Sequence, residues 1–176
     1  MPDQNTGCCK GSGCCTPVPE KKKITIDFLY LDLSVCERCQ GTDSNLDDAI
    51  SDVSSVLSSA GYDAVINKVN ITSAALAEKY AFMSSPTIRI NGKDIEVDVS
   101  ESNCTDCGTL CGDSVDCRVF TYEGNHYDSP PKGMIVNAIL KEVYGSKSEQ
   151  SKTEAAYVLP ENLRLFFESQ SRKNGG

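Results

Sequence analysis

The sequence predicts an α/β domain, a mixed sheet flanked by helices, and three observations carry that prediction. Apolar runs of strand length alternate with stretches in which apolar residues recur at helical spacing between Ile24 and Phe82. A strand, helix, strand, helix order of this kind implies parallel pairing through a right-handed crossover. Asn91-Gly92 then separates two further strand-like runs, and Asn-Gly accepts the positive φ of a tight hairpin, so an antiparallel pair should complete the sheet.

The first strand is Ile24 to Leu31, whose near-continuous apolar character suits burial on both faces. The clearest helix carries Leu46, Ala49, Ile50, Val53, Val56, Leu57 and Ala60 on one stripe, with Ser44 and Asp47 as a capping pair and Gly61 as terminator. Tyr62 to Ile71 reads as a second buried strand and Ser73 to Phe82 as a short helix. Thr87 to Ile90 and Asp94 to Val97 form the arms of the hairpin. Residues 98–130 read as a cysteine-rich insertion, closing on a second hairpin in which Arg118 to Tyr122 and His126-Tyr127 flank Gly124. Pro130-Pro131 introduces a helix from Lys132 to Tyr144 that ends at Gly145 and should cover the sheet.

Outside this 24–145 domain lie two appendages. Residues 1–20 hold Gly, Ser, Pro and four cysteines but almost no large apolar side chain, too little to offset the entropy of ordering, and read as a flexible arm. Residues 146–176 read as a charged, Ser-rich linker and a short amphipathic helix around Leu159 to Phe167, expected to dock on its own domain. Lys21-Lys22-Lys23 marks the boundary before the first strand.

Composition narrows the function. A formal charge of -8 argues against a phosphate-binding surface, so no nucleic-acid partner is expected. The N-terminal residues lack the basic start and apolar run of a secretory signal, and no segment reaches the length of a membrane span. A cytoplasmic protein without a membrane partner is the expectation. Ten cysteines in that compartment read as ligands and redox groups rather than as a disulfide framework, and with His126 as the sole histidine any metal site must be mostly thiolate.

Cys36-Glu37-Arg38-Cys39 follows the first strand and opens the first helix. A cysteine at a helix N-terminus has its anionic form favoured by unpaired amides and the macrodipole, which makes Cys36 the candidate nucleophile and Cys39, one turn on, the candidate resolving thiol. The alternative is that both are half of a zinc site.

Strand, Cys-x-x-Cys and amphipathic helix, with Ser84-Ser85-Pro86-Thr87 ahead of the Asn-Gly hairpin, resemble the thioredoxin superfamily over residues 24–145. The resemblance implies a thioredoxin-like fold and a cis peptide at Pro86, placing the Ser85 backbone beside the dithiol to pair with an incoming chain. It departs from thioredoxin itself in lacking the Trp-Cys-Gly-Pro-Cys surroundings and the buried acid, for which Asp27 or Asp32 are the available substitutes. CERCQGT, SSPTIRINGKDIE, CRVFTYEG and YVLPENLRLFF together resemble a prokaryotic thioredoxin-like family classed as a domain of unknown function.

Eight cysteines remain. The vicinal pairs Cys8-Cys9 and Cys14-Cys15 could donate sulfurs to As(III), Hg(II), Cu(I) or Zn(II), and the arm resembles the vicinal-cysteine tails of arsenite metallochaperones. Cys104, Cys107, Cys111 and Cys117 supply thiolates enough for tetrahedral zinc or an iron–sulfur cluster, with two disulfides or a relay to Cys36 as the alternatives. Two functions follow as expectations. One is a thiol-disulfide oxidoreductase acting through Cys36, Cys39, Ser85 and Pro86 on an oxidised protein or a metal(loid)-thiol adduct. The other is a soft-metal or metalloid binding protein or chaperone without turnover.

Overall fold

A computed structural model of the chain describes residues 20–112, 114–145 and 156–174. The first strand, β1 (Lys22–Tyr30), buries Ile24, Ile26, Phe28 and Leu29 and lies in the interior of a four-stranded sheet. It pairs in parallel with β2 (Tyr62–Asn70) on one side and antiparallel with β3 (Thr87–Ile90) on the other. The hairpin partner of β3 is β4 (Lys93–Asp94), which forms the far edge. Asn91 and Gly92 between them have φ of 50° and 78°, the left-handed region that this dipeptide accepts at little cost.

Alternation along β1 sends Ile24, Ile26 and Phe28 to one face and Leu29 to the other, so the sheet divides two apolar clusters. On the first face α1 (Glu37–Ser59) presents Leu46, Ala49, Val53 and Leu57, and α4 (Lys132–Tyr144) presents Ile135 and Ile139. Proline before Lys132 suits the start of α4, where an amide hydrogen would have no helical partner. The second cluster joins α2 (Ala74–Lys79) to the segment that follows the first hairpin. That segment consists of β5 (Ser100–Cys104), α3 (Thr105–Cys111), β6 (Val115–Tyr122) and β7 (Asn125–Tyr127), with an antiparallel β5-β6-β7 sheet of its own. α5 (Glu161–Asn174) closes this face by burying Leu163, Phe166 and Phe167.

Three local expectations are corrected. α1 begins at Glu37, with Cys36 as its N-cap, and not at the Ser44/Asp47 pair. Asp47 instead holds Lys68 across the surface with Asp43. β2 is an edge strand with Val65 and Ile66 over a third exposed, because β1 is its sole strand partner and its outer edge has none among the described residues. The second arm of the hairpin stops at Asp94 instead of Val97, because Arg118 takes both Asp94 carboxylate oxygens and the Glu96 carbonyl and draws the chain out of the sheet.

Candidate metal centre

The site starts from the N-terminus of α1. Cys36 leaves β1 through a turn held by Asp32, whose Oδ1 accepts from the Ser34 amide at 2.6 Å and the Val35 amide at 2.9 Å. Asp32 is therefore the strand-end aspartate of this turn, and Asp27 accepts from Asn67. As N-cap, Cys36 receives the Cys39 amide on its Sγ at 3.4 Å, the interaction that a serine or aspartate oxygen makes at an ordinary helix start. Cys39 lies one turn on, its Sγ 3.4 Å from Ser85 Oγ, and Ser85 Oγ also accepts the Leu31 amide. The Ser85-Pro86 bond is cis.

The insertion comes to the same place. β6 runs alongside the Ser85 backbone, and the Arg118 amide donates to the Ser85 carbonyl at 2.7 Å. The position that the sequence reading reserves for an incoming chain is thus taken by a strand of the protein itself. This contact brings Cys117, the neighbour of Arg118, over the start of α1. α3 supplies Cys107, and Cys104 is its N-cap. Two polar ties fix the insertion to α1: the Glu37 amide donates to Asp106 Oδ2 at 3.0 Å, and Arg38 donates to the carbonyls of Cys117 and Asn103 and pairs with Asp128.

The result is a group of four thiols. The Sγ atoms of Cys36, Cys104, Cys107 and Cys117 lie within 4.8 Å of one another, and all four residues are buried. Cys107 and Cys117 are 3.5 Å apart. Zinc–thiolate bonds of about 2.3 Å in a tetrahedron put the sulfurs about 3.8 Å apart, so a modest inward movement of the side chains would close this group around an ion. The four cysteines could hold a metal ion.

Electrostatics inside the group are strongly uneven. The Cys36 thiol is shifted far below the ordinary thiol range, chiefly by its hydrogen bond with Cys104 and then by Cys107, Cys117 and Cys39, against the opposing effect of burial. Cys104 is lowered to about 7, first by Cys107. Cys39 is raised, first by the anion at Cys36, and Cys107 and Cys117 are raised, first by Cys104. Metal ligands must be deprotonated, so a group that favours the anion at Cys36 and Cys104 suits a cation, which would release the protons of the others.

The structure thus regroups the cysteines that sequence spacing assigned. Cys104, Cys107 and Cys117 converge, and Cys36 joins them from the CERC motif. Of the alternative zinc pair Cys36 and Cys39, Cys36 belongs to the four-sulfur group and Cys39 lies outside it. Cys8, Cys9, Cys14 and Cys15, and the Cys111 side chain, lie outside the described residues. His126 is exposed on β7 against Thr121 Oγ1. Sequence reasoning missed Arg118, which is wholly buried and ties Thr87, Asp94 and Glu96 to the insertion. An arginine in an otherwise alternating strand next to a cysteine was the available signal.

A family model matches residues 24–139. The chain belongs to DUF2703, a domain of unknown function. No curated protein and no solved structure matches it. The DUF2703 match includes Cys36, Cys104, Cys107 and Cys117, together with Ser85 and Pro86, and ends within α4. α5 lies beyond it. No helix among the described residues is long and apolar enough to cross a membrane.

Proposed function

We propose that this protein binds a soft or borderline metal ion through the thiolates of Cys36, Cys104, Cys107 and Cys117, holding it without turnover. The observation that carries the reading is the convergence of four buried Sγ atoms within 4.8 Å from two separate parts of the chain. Four sulfurs with no histidine or carboxylate among them favour zinc, copper(I) or a single iron over hard cations. A group with all four positions supplied by protein is the pattern of a closed, holding site rather than a catalytic one, which keeps a position open. A cytoplasmic setting, in which thiols remain reduced, goes with this reading. The arm cysteines Cys8, Cys9, Cys14 and Cys15 would capture ions for delivery to it.

The test uses the full chain purified anaerobically, with Cys8→Ser, Cys9→Ser, Cys14→Ser and Cys15→Ser to remove the arm thiols. One equivalent of cobalt(II) should give the visible bands of a tetrahedral thiolate complex, and zinc should displace it. Cys36→Ser should lower affinity beyond the roughly 10–100-fold that outer-shell changes produce, whereas Cys39→Ser should leave stoichiometry intact. An absence of cobalt bands in the four-serine protein would sink the reading.

A second reading is supported by Cys39, which lies in the first turn of α1 beside Ser85 and outside the four-sulfur group. Parallel β1-β2 pairing, the antiparallel β3 and a Cys-x-x-Cys at the start of α1 support a thioredoxin-like core. In such a core Cys36 would attack a disulfide and Cys39 resolve it, with Ser85 and Pro86 shaping the groove. Burial of Cys36 under the insertion weighs against an unaided encounter with a protein disulfide.

A further inference from the structure

Cys36 is shared. It is one of the four clustered sulfurs, and it also receives the amide of Cys39, whose thiol is its neighbour across the first helical turn. Two sulfurs one turn apart at a helix N-terminus are placed to form a disulfide, and a sulfur in a disulfide is no longer a thiolate ligand. The two uses of Cys36 exclude each other.

We propose that a small, neutral or cationic disulfide expels the bound ion by oxidising Cys36 and Cys39 to a disulfide, so that the site releases its ion under oxidation. This rests on the four-thiolate reading above. The pairing with Cys39 follows from which sulfurs are held: Cys104, Cys107 and Cys117 stay with the ion, and Cys39 is the neighbouring thiol that does not. The Cys36 thiolate attacks one sulfur of the disulfide R-S-S-R, forming a mixed disulfide and expelling RS⁻. That anion takes the proton of the Cys39 thiol. The Cys39 thiolate then attacks the Cys36 sulfur, closing the Cys36-Cys39 bond and expelling a second RS⁻. Two electrons pass from the protein sulfurs to R-S-S-R, and the ion is left with three thiolates.

The size and charge of the oxidant follow from the surroundings. An extended polypeptide cannot pair with the Ser85 carbonyl, since the Arg118 amide occupies it at 2.7 Å. A polar cavity of about 330 Å³ adjoins the group, lined by Cys104 and by Glu37, Arg38, Asn103, Asp106 and Asp128; Cys36 is fully buried and outside that lining, so a disulfide entering there reaches its sulfur only as the insertion opens from α1. Three carboxylates face one guanidinium there, and that guanidinium is already paired with Asp128. The excess negative charge repels anionic disulfides and admits neutral or cationic ones.

The experiment uses the full chain with the four arm cysteines changed to serine, loaded with one equivalent of zinc. Cystamine is added anaerobically, with zinc release read by a chromogenic chelator and disulfides mapped by peptide mass. The expected result is zinc release in step with one Cys36-Cys39 disulfide. Cys39→Ser should bind zinc with unchanged stoichiometry but lose the fast release. Relative to their rates with free cysteine, cystamine should outpace dithiodiglycolate, and added salt should narrow the gap. Equal release from the Cys39→Ser protein, or a disulfide mapped to Cys107-Cys117 or Cys36-Cys117, would overturn the inference while leaving the binding site standing. Failure to load zinc at all would overturn the binding reading itself.

Discussion

Arg118 shows how one side chain places the cysteines. Its guanidinium is fully buried, makes paired 2.8 Å bonds to the two Asp94 oxygens, donates to Thr87 Oγ1 and the Glu96 carbonyl, and lies 5.1 Å from the centre of the Phe120 ring. Its backbone amide meanwhile fixes β6 to Ser85. Removing one partner of a fully buried pair costs about 3–5 kcal/mol, and Asp94, a quarter exposed, puts this pair at the lower end of that range or beneath it. Arg118→Met should therefore lower stability to urea by that order, with Asp94 left facing an apolar side chain. Arg118→Lys should recover part of it at most, because an ammonium cannot reproduce the flat two-pronged pairing. Both variants should also weaken cobalt binding, since Cys117 is the adjacent residue. Full stability in Arg118→Met would show that the pair contributes nothing net.

At the scale of elements, α5 is the brace of the insertion. Phe166 and Phe167 meet edge to face at 5.5 Å, and with Leu163 they fill the apolar cluster that contains Cys104, Cys107 and Cys117. Lys173 adds a bond to the Leu110 carbonyl at the end of α3. Truncating a buried phenylalanine costs about 3–5 kcal/mol, so Phe166→Ala should destabilise the protein by that amount. It should also speed the loss of bound zinc to a chelator, and an unchanged rate would mean that α3 holds its cysteines without α5. What the sequence made legible divides along the same line. The span of α4 and the Asn91-Gly92 turn depend on neighbours a few residues apart, and these could be read directly. The meeting of Cys36 with Cys117 depends on a strand returning across the sheet to Ser85, and spacing along the chain carries no signal of that. β2 was misread for a related reason: its apolar content suits a buried strand, but edge or interior position is decided by which strands pair.

For the molecule as a whole, the four sulfurs connect two separately built parts. Cys36 belongs to the helix that packs on one face of the main sheet, while Cys104, Cys107 and Cys117 belong to a segment with its own three-stranded sheet. Besides the bond from Arg118 to Ser85 and the polar contacts of Arg38 and Asp106, an ion at this centre would tie the two parts together. Binding to the native state alone stabilises by about 2.7 kcal/mol when free ligand is a hundred times its Kd. Zinc should therefore raise the melting temperature in a concentration-dependent way, and a chelator should reverse the rise. Amide exchange can locate the effect, because local opening draws on local contacts. Loading should slow exchange in β5, α3, β6 and the first turn of α1, where the ligands sit, and leave the exposed edge strand β2 nearly unchanged. Slowing spread evenly over both sheets would instead mean that the two parts already open as one unit, and that the ion adds global stability without joining them.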